Sequence, residues 1–186
     1  MTDQTKRIEE QISEARAAFE GRPPLDKWHP ELSGDIDMRI LRDGTWLFQG
    51  NPLQRQAMVQ LFSTILRRED DGEYYLVTPV EKWRLEVEDT PLLAHGLEAS
   101  GEGREQMLTL TLNTGESLVI GPEHPLRMDH YDNGEPRPLV GIVQGLEARL
   151  VTPAYYELAE HAVASPEDDR VLGVWSDGRF FELGQV

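Results

Sequence analysis

Apolar positions recur along the chain with two periods, that of a helix and that of a strand, and their succession predicts an α+β protein. Ile8, Ile12, Ala15 and Phe19 fall at i, i+4, i+7 and i+11, which predicts a helix over residues 3–20 capped by Thr2 or Asp3 and ended by Gly21-Arg22-Pro23-Pro24. Residues 36–41 and 45–49 flank Asp43-Gly44, the signature of a hairpin closed by a type I′ turn. Asn51 and Pro52 read as the cap and first turn of a second helix. Its apolar stripe is Leu53, Ala57, Met58, Leu61, Phe62, Ile65 and Leu66, and Arg67-Arg68 stops it. Residues 74–88 read as extended, with Trp83, Leu85 and Val87 facing one way and Lys82, Arg84, Glu86 and Glu88 the other.

The second half alternates again at Leu108, Leu110 and Leu112, turns at Asn113-Thr114-Gly115, and resumes at Val140, Ile142, Leu146, Ala148 and Leu150. Residues 123–138 are rich in Pro and Asp and read as irregular. Thr152 and Pro153 open a short helix near 153–163, and a last hairpin over 171–183 turns at Asp177-Gly178. Residues 94–104 look like a loop between the halves. The expected organisation is an N-terminal helix and linker over 1–24, a first α+β half over 25–95 and a second, β-rich half over 104–186. Asp43-Gly44-Thr45-Trp46 is echoed by Asp177-Gly178-Arg179-Phe180, and Leu76-Val77-Thr78-Pro79 by Leu150-Val151-Thr152-Pro153. With the shared element content, these echoes predict two similar halves, a duplication of one hairpin, helix and strand unit.

Composition narrows the function. The 186 residues carry 34 acidic and 18 basic side chains, a formal charge of −16, and no cysteine. Thiolate metal sites and cysteine nucleophiles are excluded, and an acidic chain without a basic block is repelled by nucleic acid. No apolar run is long enough to span a bilayer and the N-terminus lacks an apolar signal region, so a cytoplasmic protein with no membrane partner is expected. The only lysines are Lys6, Lys27 and Lys82.

The densest polar cluster beside a strand break is Thr78-Pro79-Val80-Glu81-Lys82, followed by Glu86, Glu88 and Asp89. A bend there would present N–H groups and the Lys82 ammonium to an anion, with Glu88 and Asp89 accepting from sugar hydroxyls or a base edge. The same alternation is also the ordinary charged outer face of a half-buried strand. Glu147 and Arg149 share a strand face close in sequence to Tyr155 and Tyr156, and read either as a cleft wall or as a surface ion pair. His124, Asp129, His130 and Asp132 lie close in one stretch, and Glu157 and His161 stand at i, i+4, but neither set has a metal-ligand spacing. No nucleophile elbow, phosphate loop or dinucleotide fingerprint occurs, so neither metal nor cofactor is expected.

Gly34-Asp35-Ile36-Asp37-Met38-Arg39-Ile40, Asp43-Gly44-Thr45-Trp46, residues 61–66, Tyr75–Lys82 and Glu86-Val87-Glu88-Asp89, with Gly145–Leu150 and Tyr155-Tyr156-Glu157-Leu158, together resemble the bacterial domain of unknown function 1285 family. The resemblance covers roughly residues 22–164. It implies a duplicated α+β core whose second half is barrel-like and superficially pleckstrin-homology-like. It further implies a nucleotide-like ligand between the halves, a role in signalling and no established enzymatic activity. Carried over by position, Thr78, Glu81, Lys82, Glu88, Asp89, Glu147 and Arg149 would line that site. Where the family pattern has an aromatic after the Glu-Asp-x-Pro run this chain has Leu92, which leaves Trp46 or Tyr155 to stack on a base. The expected function is therefore a non-catalytic small-ligand-binding protein. A protein-interaction adaptor using an exposed strand edge or the residue 175–181 hairpin, and a hydrolase with Glu81 or Glu88 as general base, are the alternatives.

Overall fold

The computed structural model describes residues 3–186. The chain divides into two compact units, residues 1–89 and 90–186. The first contains α1 (Asp3–Ala15), β1 (Leu32–Ile40), β2 (Trp46–Phe48), β3 (Asn51–Pro52), α2 (Gln56–Thr64), β4 (Leu66–Arg68), β5 (Tyr74–Val77) and β6 (Lys82–Val87). The second contains β7 (Leu92–Ser100), β8 (Met107–Leu112), β9 (Ser117–Val119), β10 (Leu126–His130), β11 (Pro136–Gly141), β12 (Glu147–Leu150), α3 (Thr152–Ala159), β13 (Val163–Ala164), β14 (Val171–Ser176) and β15 (Arg179–Gln185). No helix among the described residues is long and apolar enough to cross a membrane.

Each unit is built on a mixed six-stranded sheet, and the two sheets have one topology. The orders are β3-β2-β1-β6-β5-β4 and β9-β8-β7-β12-β11-β10, so every strand matches the one six places later. In each, the first and last strands of the unit's sheet pair in parallel at the centre, β1 with β6 and β7 with β12, and all other neighbours are antiparallel. The duplication expected from sequence is therefore present, but the echoes that suggested it fall on unmatched elements. Asp177-Gly178 joins β14 to β15 in a separate three-stranded sheet. Thr78 follows β5, whereas Thr152 follows β12, the counterpart of β6. The true echo is Glu69-Asp70-Asp71-Gly72-Glu73 between β4 and β5, matched by Tyr131-Asp132-Asn133-Gly134-Glu135 between β10 and β11. In both, the glycine N–H bonds back to the first residue's carbonyl, at 2.9 and 2.8 Å. The last residue's N–H bonds to the Asp71 or Asn133 side chain, at 2.8 and 3.0 Å. The second sheet is open, with no β9–β10 pairing to close it into a barrel.

Local expectations were met unevenly. Asp177 and Gly178 both have positive φ (50° and 74°), as a type I′ turn requires. At Asp43-Gly44 only the glycine does (φ 90°), and a Gly44 N–H to Leu41 carbonyl bond of 3.0 Å makes a three-residue loop ending in a glycine bulge, one residue longer than a type I′ loop. Asn51 and Pro52 do not open a helix. A left-handed pair, Gln49 (φ 51°) and Gly50 (φ 79°), reverses the chain so that Asn51 faces Phe48 and Pro52 faces Leu47 as an edge strand. Proline fits there because an edge position needs no outward donor. The helix then starts at Gln56 with no side-chain cap, and Arg67-Arg68 lie in β4 rather than at its end. Thr152 likewise stands inside α3 rather than capping it. Residues 94–100 are strand, not a loop between halves, because they pair with β8 and, at Ala94, with Leu150. The stretch over 123–138 contains β10 and the start of β11. Thr2, one of the expected caps, lies outside the described residues.

Alternation decides what each sheet covers. In the first unit Ile36, Met38 and Ile40 of β1 are buried, and Trp46 of β2 meets Phe62 of α2 with ring centroids 6.5 Å apart. In the second, Ala94, Leu110, Val140 and Ala148 join one core with Ala154 and Leu158 of α3 and with Val174 and Phe181 of the three-stranded sheet. Thus α3 and the small sheet do for the second unit what α2 does for the first.

Candidate functional site

On β5, β6 and the turn between them, several expected site residues have structural partners. Thr78 is fully buried; its hydroxyl accepts the Glu81 N–H at 2.9 Å and donates to the Gln11 side chain of α1 at 2.6 Å. Glu81 pairs with Arg7 of α1 at 3.1 Å and accepts the Trp83 indole N–H, also at 3.1 Å. Thr78 and Glu81 therefore fasten α1 to the sheet. Lys82 stands over the Tyr75 ring, 4.7 Å from its centroid, and its ammonium meets Glu69 at 2.9 Å. Glu69 also takes two bonds from Arg67, whose other amine bonds the Leu25 and Trp28 carbonyls at 2.9 Å each. Burial raises the Glu69 pKa, but the Lys82 and Arg67 bonds outweigh it and the net shift is downward. Next to this network Tyr75 donates to Asp71 at 2.5 Å, and that bond with burial pushes its phenol up to about 12.

Glu88 and Asp89 lie beyond the other end of β6. Six strand steps separate Lys82 from Glu88, roughly 20 Å, so these side chains cannot close round one phosphate. Glu88 accepts the Arg42 N–H at 2.8 Å. In the second unit, Glu147 takes a two-bond clasp from Arg127, at 2.7 and 2.9 Å, which raises the Arg127 pKa. Arg149, two residues on in β12, is in register with Leu139 of β11 and Leu93 of β7. Tyr155 is half-buried on α3, its ring 5.9 Å from that of Tyr156. Among the described residues no group of three His, Cys, Asp or Glu side chains could hold a metal.

A concave feature of the first unit lies on the open face of the central parallel pair, where the polar cluster read from sequence contributes only Glu86. A groove of about 760 Å³ is lined by Asp35, Asp37 and Arg39 of β1, Arg84 and Glu86 of β6, and Gln49, Leu47 and Glu73 at its sides. A hollow of about 400 Å³ shares Arg39, Glu73 and Glu86 with it and runs on to Glu88. Two ladder ion pairs span the groove: Arg84 Nε meets Asp35 Oδ1 at 2.6 Å, and Arg39 bonds Glu86 Oε2 through Nε at 2.8 Å and a terminal amine at 2.6 Å. The Arg84 bond holds the Asp35 carboxyl below its usual range, and Glu86 raises Arg39. Between the pairs β1 bulges. It advances from Asp35 to Arg39 while β6 advances only from Arg84 to Glu86. Ile36 and Met38 stay in the core and Asp37 stays outside, its carboxylate making no hydrogen bond or ion pair among the described residues. Bulges of this kind re-aim side chains beside sites. The signal available in sequence was Asp-x-Asp-x-Arg on one strand and Arg-x-Glu-x-Glu on another. Its meaning depends on a parallel pairing that no turn announces.

Paired mixed sheets of one topology, each with its own helical cover, define a duplicated α+β protein without a closed barrel. Residues 23–90 match the model of the "Domain of unknown function (DUF1285), N-terminal domain", and residues 91–183 that of the corresponding C-terminal domain. The chain belongs to the DUF1285 family. It is similar to a crystal structure of a DUF1285 family protein from Silicibacter pomeroyi DSS-3, with 45% identity, 95% of each chain covered and a TM-score of 0.83. A DUF1285 family protein from Shewanella baltica OS155 is 29% identical over 67% of this chain and 91% of its own, with a TM-score of 0.53. No curated protein matches the chain.

Proposed function

We propose that this is a non-catalytic small-ligand-binding protein whose ligand occupies the groove over β1 and β6. The observation that carries the reading is the β1 bulge, which puts an unpaired carboxylate, Asp37, between two ion pairs in a groove large enough for a drug-sized molecule. Asp35 in the groove, like Asp43, Glu69, Asp71, Asp129 and Asp168 elsewhere, has its pKa displaced downward, which suits a fixed hydrogen-bond acceptor rather than a general base tuned toward neutrality. Of the side chains expected to bind, Glu88 adjoins the groove, whereas Thr78, Glu81 and Lys82 serve the fold. The nucleotide-like ligand and the signalling role follow from the family resemblance and enter here as proposals. The test is a thermal-shift screen of metabolites against the protein and its Arg39→Met variant. A ligand that stabilises the first and not the second supports the groove; ligands that stabilise both equally refute it.

One observation favours the adaptor as a second reading. The last hairpin spends Val174, Ser176 and Phe181 on burial but leaves Trp175 and Phe180 half-exposed on its outer side, their rings 5.4 Å apart with Arg104 above Trp175. A partner captured by the protein and lost with Trp175→Ala would support it.

A further inference from the structure

We infer that the groove recognises vicinal hydroxyl groups, those of a free sugar or of a ribose, rather than a charged group. This rests on the groove being the ligand site. Each ion pair is satisfied on one side only. Arg84 uses Nε on Asp35 Oδ1 and Arg39 uses Nε and one amine on Glu86 Oε2, which leaves Asp35 Oδ2, Glu86 Oε1 and guanidinium N–H groups without partners among the described residues. A free carboxylate oxygen beside a free guanidinium N–H is an acceptor next to a donor, the arrangement that a diol answers with one O–H donated and one oxygen accepting. A diol makes those bonds without disturbing either pair.

Charged ligands fare worse. An anion that bonds the free guanidinium N–H groups must share each arginine with the carboxylate already on it and face four carboxylates, Asp35, Asp37, Glu73 and Glu86, against two guanidiniums. A cation meets only exposed unpaired carboxylates, Asp37 and Glu73, in a groove also lined by Arg39 and Arg84. The spacing also suits a ring bearing several hydroxyls. Arg84 and Glu86 are two strand steps apart, roughly 6.6 Å, about the width of a sugar ring. Asp37 lies between the pairs as a further acceptor, and half-buried Leu47, opposite Arg39, offers an apolar surface to ring C–H groups.

The experiment is calorimetric titration of the full chain with adenosine, 2′,3′-dideoxyadenosine, ribose, glucose, spermidine and inorganic phosphate, repeated on Asp37→Asn and Arg39→Met. Both positions are exposed, so both variants should melt with the parent, which is checked first. The expected result is binding of adenosine or a free sugar, weakened at least about tenfold by removal of the diol or by Asp37→Asn. Ribose binding as tightly as adenosine assigns the site to free sugars, and adenosine alone assigns it to nucleosides. Spermidine or phosphate binding that is lost in the groove variants, with no polyol bound, overturns the hydroxyl inference but leaves the groove as the site. Binding unaffected by either substitution removes the groove itself, and no binding of any polyol overturns the inference.

Discussion

Arg84 and Asp35 meet at 2.6 Å across a parallel pair of strands although 49 positions separate them in the chain. Their contact, with that of Arg39 and Glu86, frames the bulge that exposes Asp37. Because both partners of each pair are largely exposed, the pairs matter more for geometry than for stability.

Replacing Arg84 with Met should therefore leave the melting temperature close to that of the parent and abolish ligand stabilisation in the thermal-shift assay. A variant that melts far below the parent would make the pair a structural one.

Lys82→Met should do the reverse. It strands Glu69 beside Tyr75 and Arg67, so a loss of about 1–3 kcal/mol is expected in urea unfolding, with groove binding intact. Folded Glu69 has a lowered pKa, so its contribution is present above its ordinary value of 4.5 and is lost as the pH falls below that. In the Lys82→Met protein the acid-side loss should be shallower.

Tyr75 should titrate well above the ordinary range of a tyrosine. Its folded pKa is raised from 10.0 to about 12, so the stability it adds is fully present below pH 10 and disappears as the pH rises through about 12. Ultraviolet difference spectra should lose this late step in Asp71→Asn.

Gly173→Ala should be among the most damaging single changes in the second unit. A Cβ there would lie 2.2 Å from the Phe181 carbonyl oxygen and 2.6 Å from the Phe180 ring, so β14 and β15 must separate. A loss of about 1–3 kcal/mol or more is expected by denaturant titration, and near-parent stability would mean that the hairpin is looser than its contacts indicate.

What sequence disclosed was what is local or rides on alternation. The Leu108, Leu110, Leu112 face is buried as read, Asp177-Gly178 makes the turn it signals, and the motif order names the family. What it hid was long-range or set by competition. Asn51-Pro52 has the local marks of a helix start, yet the Gln49-Gly50 turn commits it to a strand. Lys82 stands out by its rarity, but its partner Glu69 lies in the turn after β4 and uses it for the fold. The groove's charged rows are visible one at a time, while their pairing and the bulge that offsets them come only with the sheet.

The central claim is that ligand binds on the open face of β1 and β6. Amide chemical-shift mapping of the labelled protein with a ligand from the calorimetric panel tests it most directly. Perturbations should concentrate at residues 35–39 and 84–86. Perturbations that spare both stretches would contradict it.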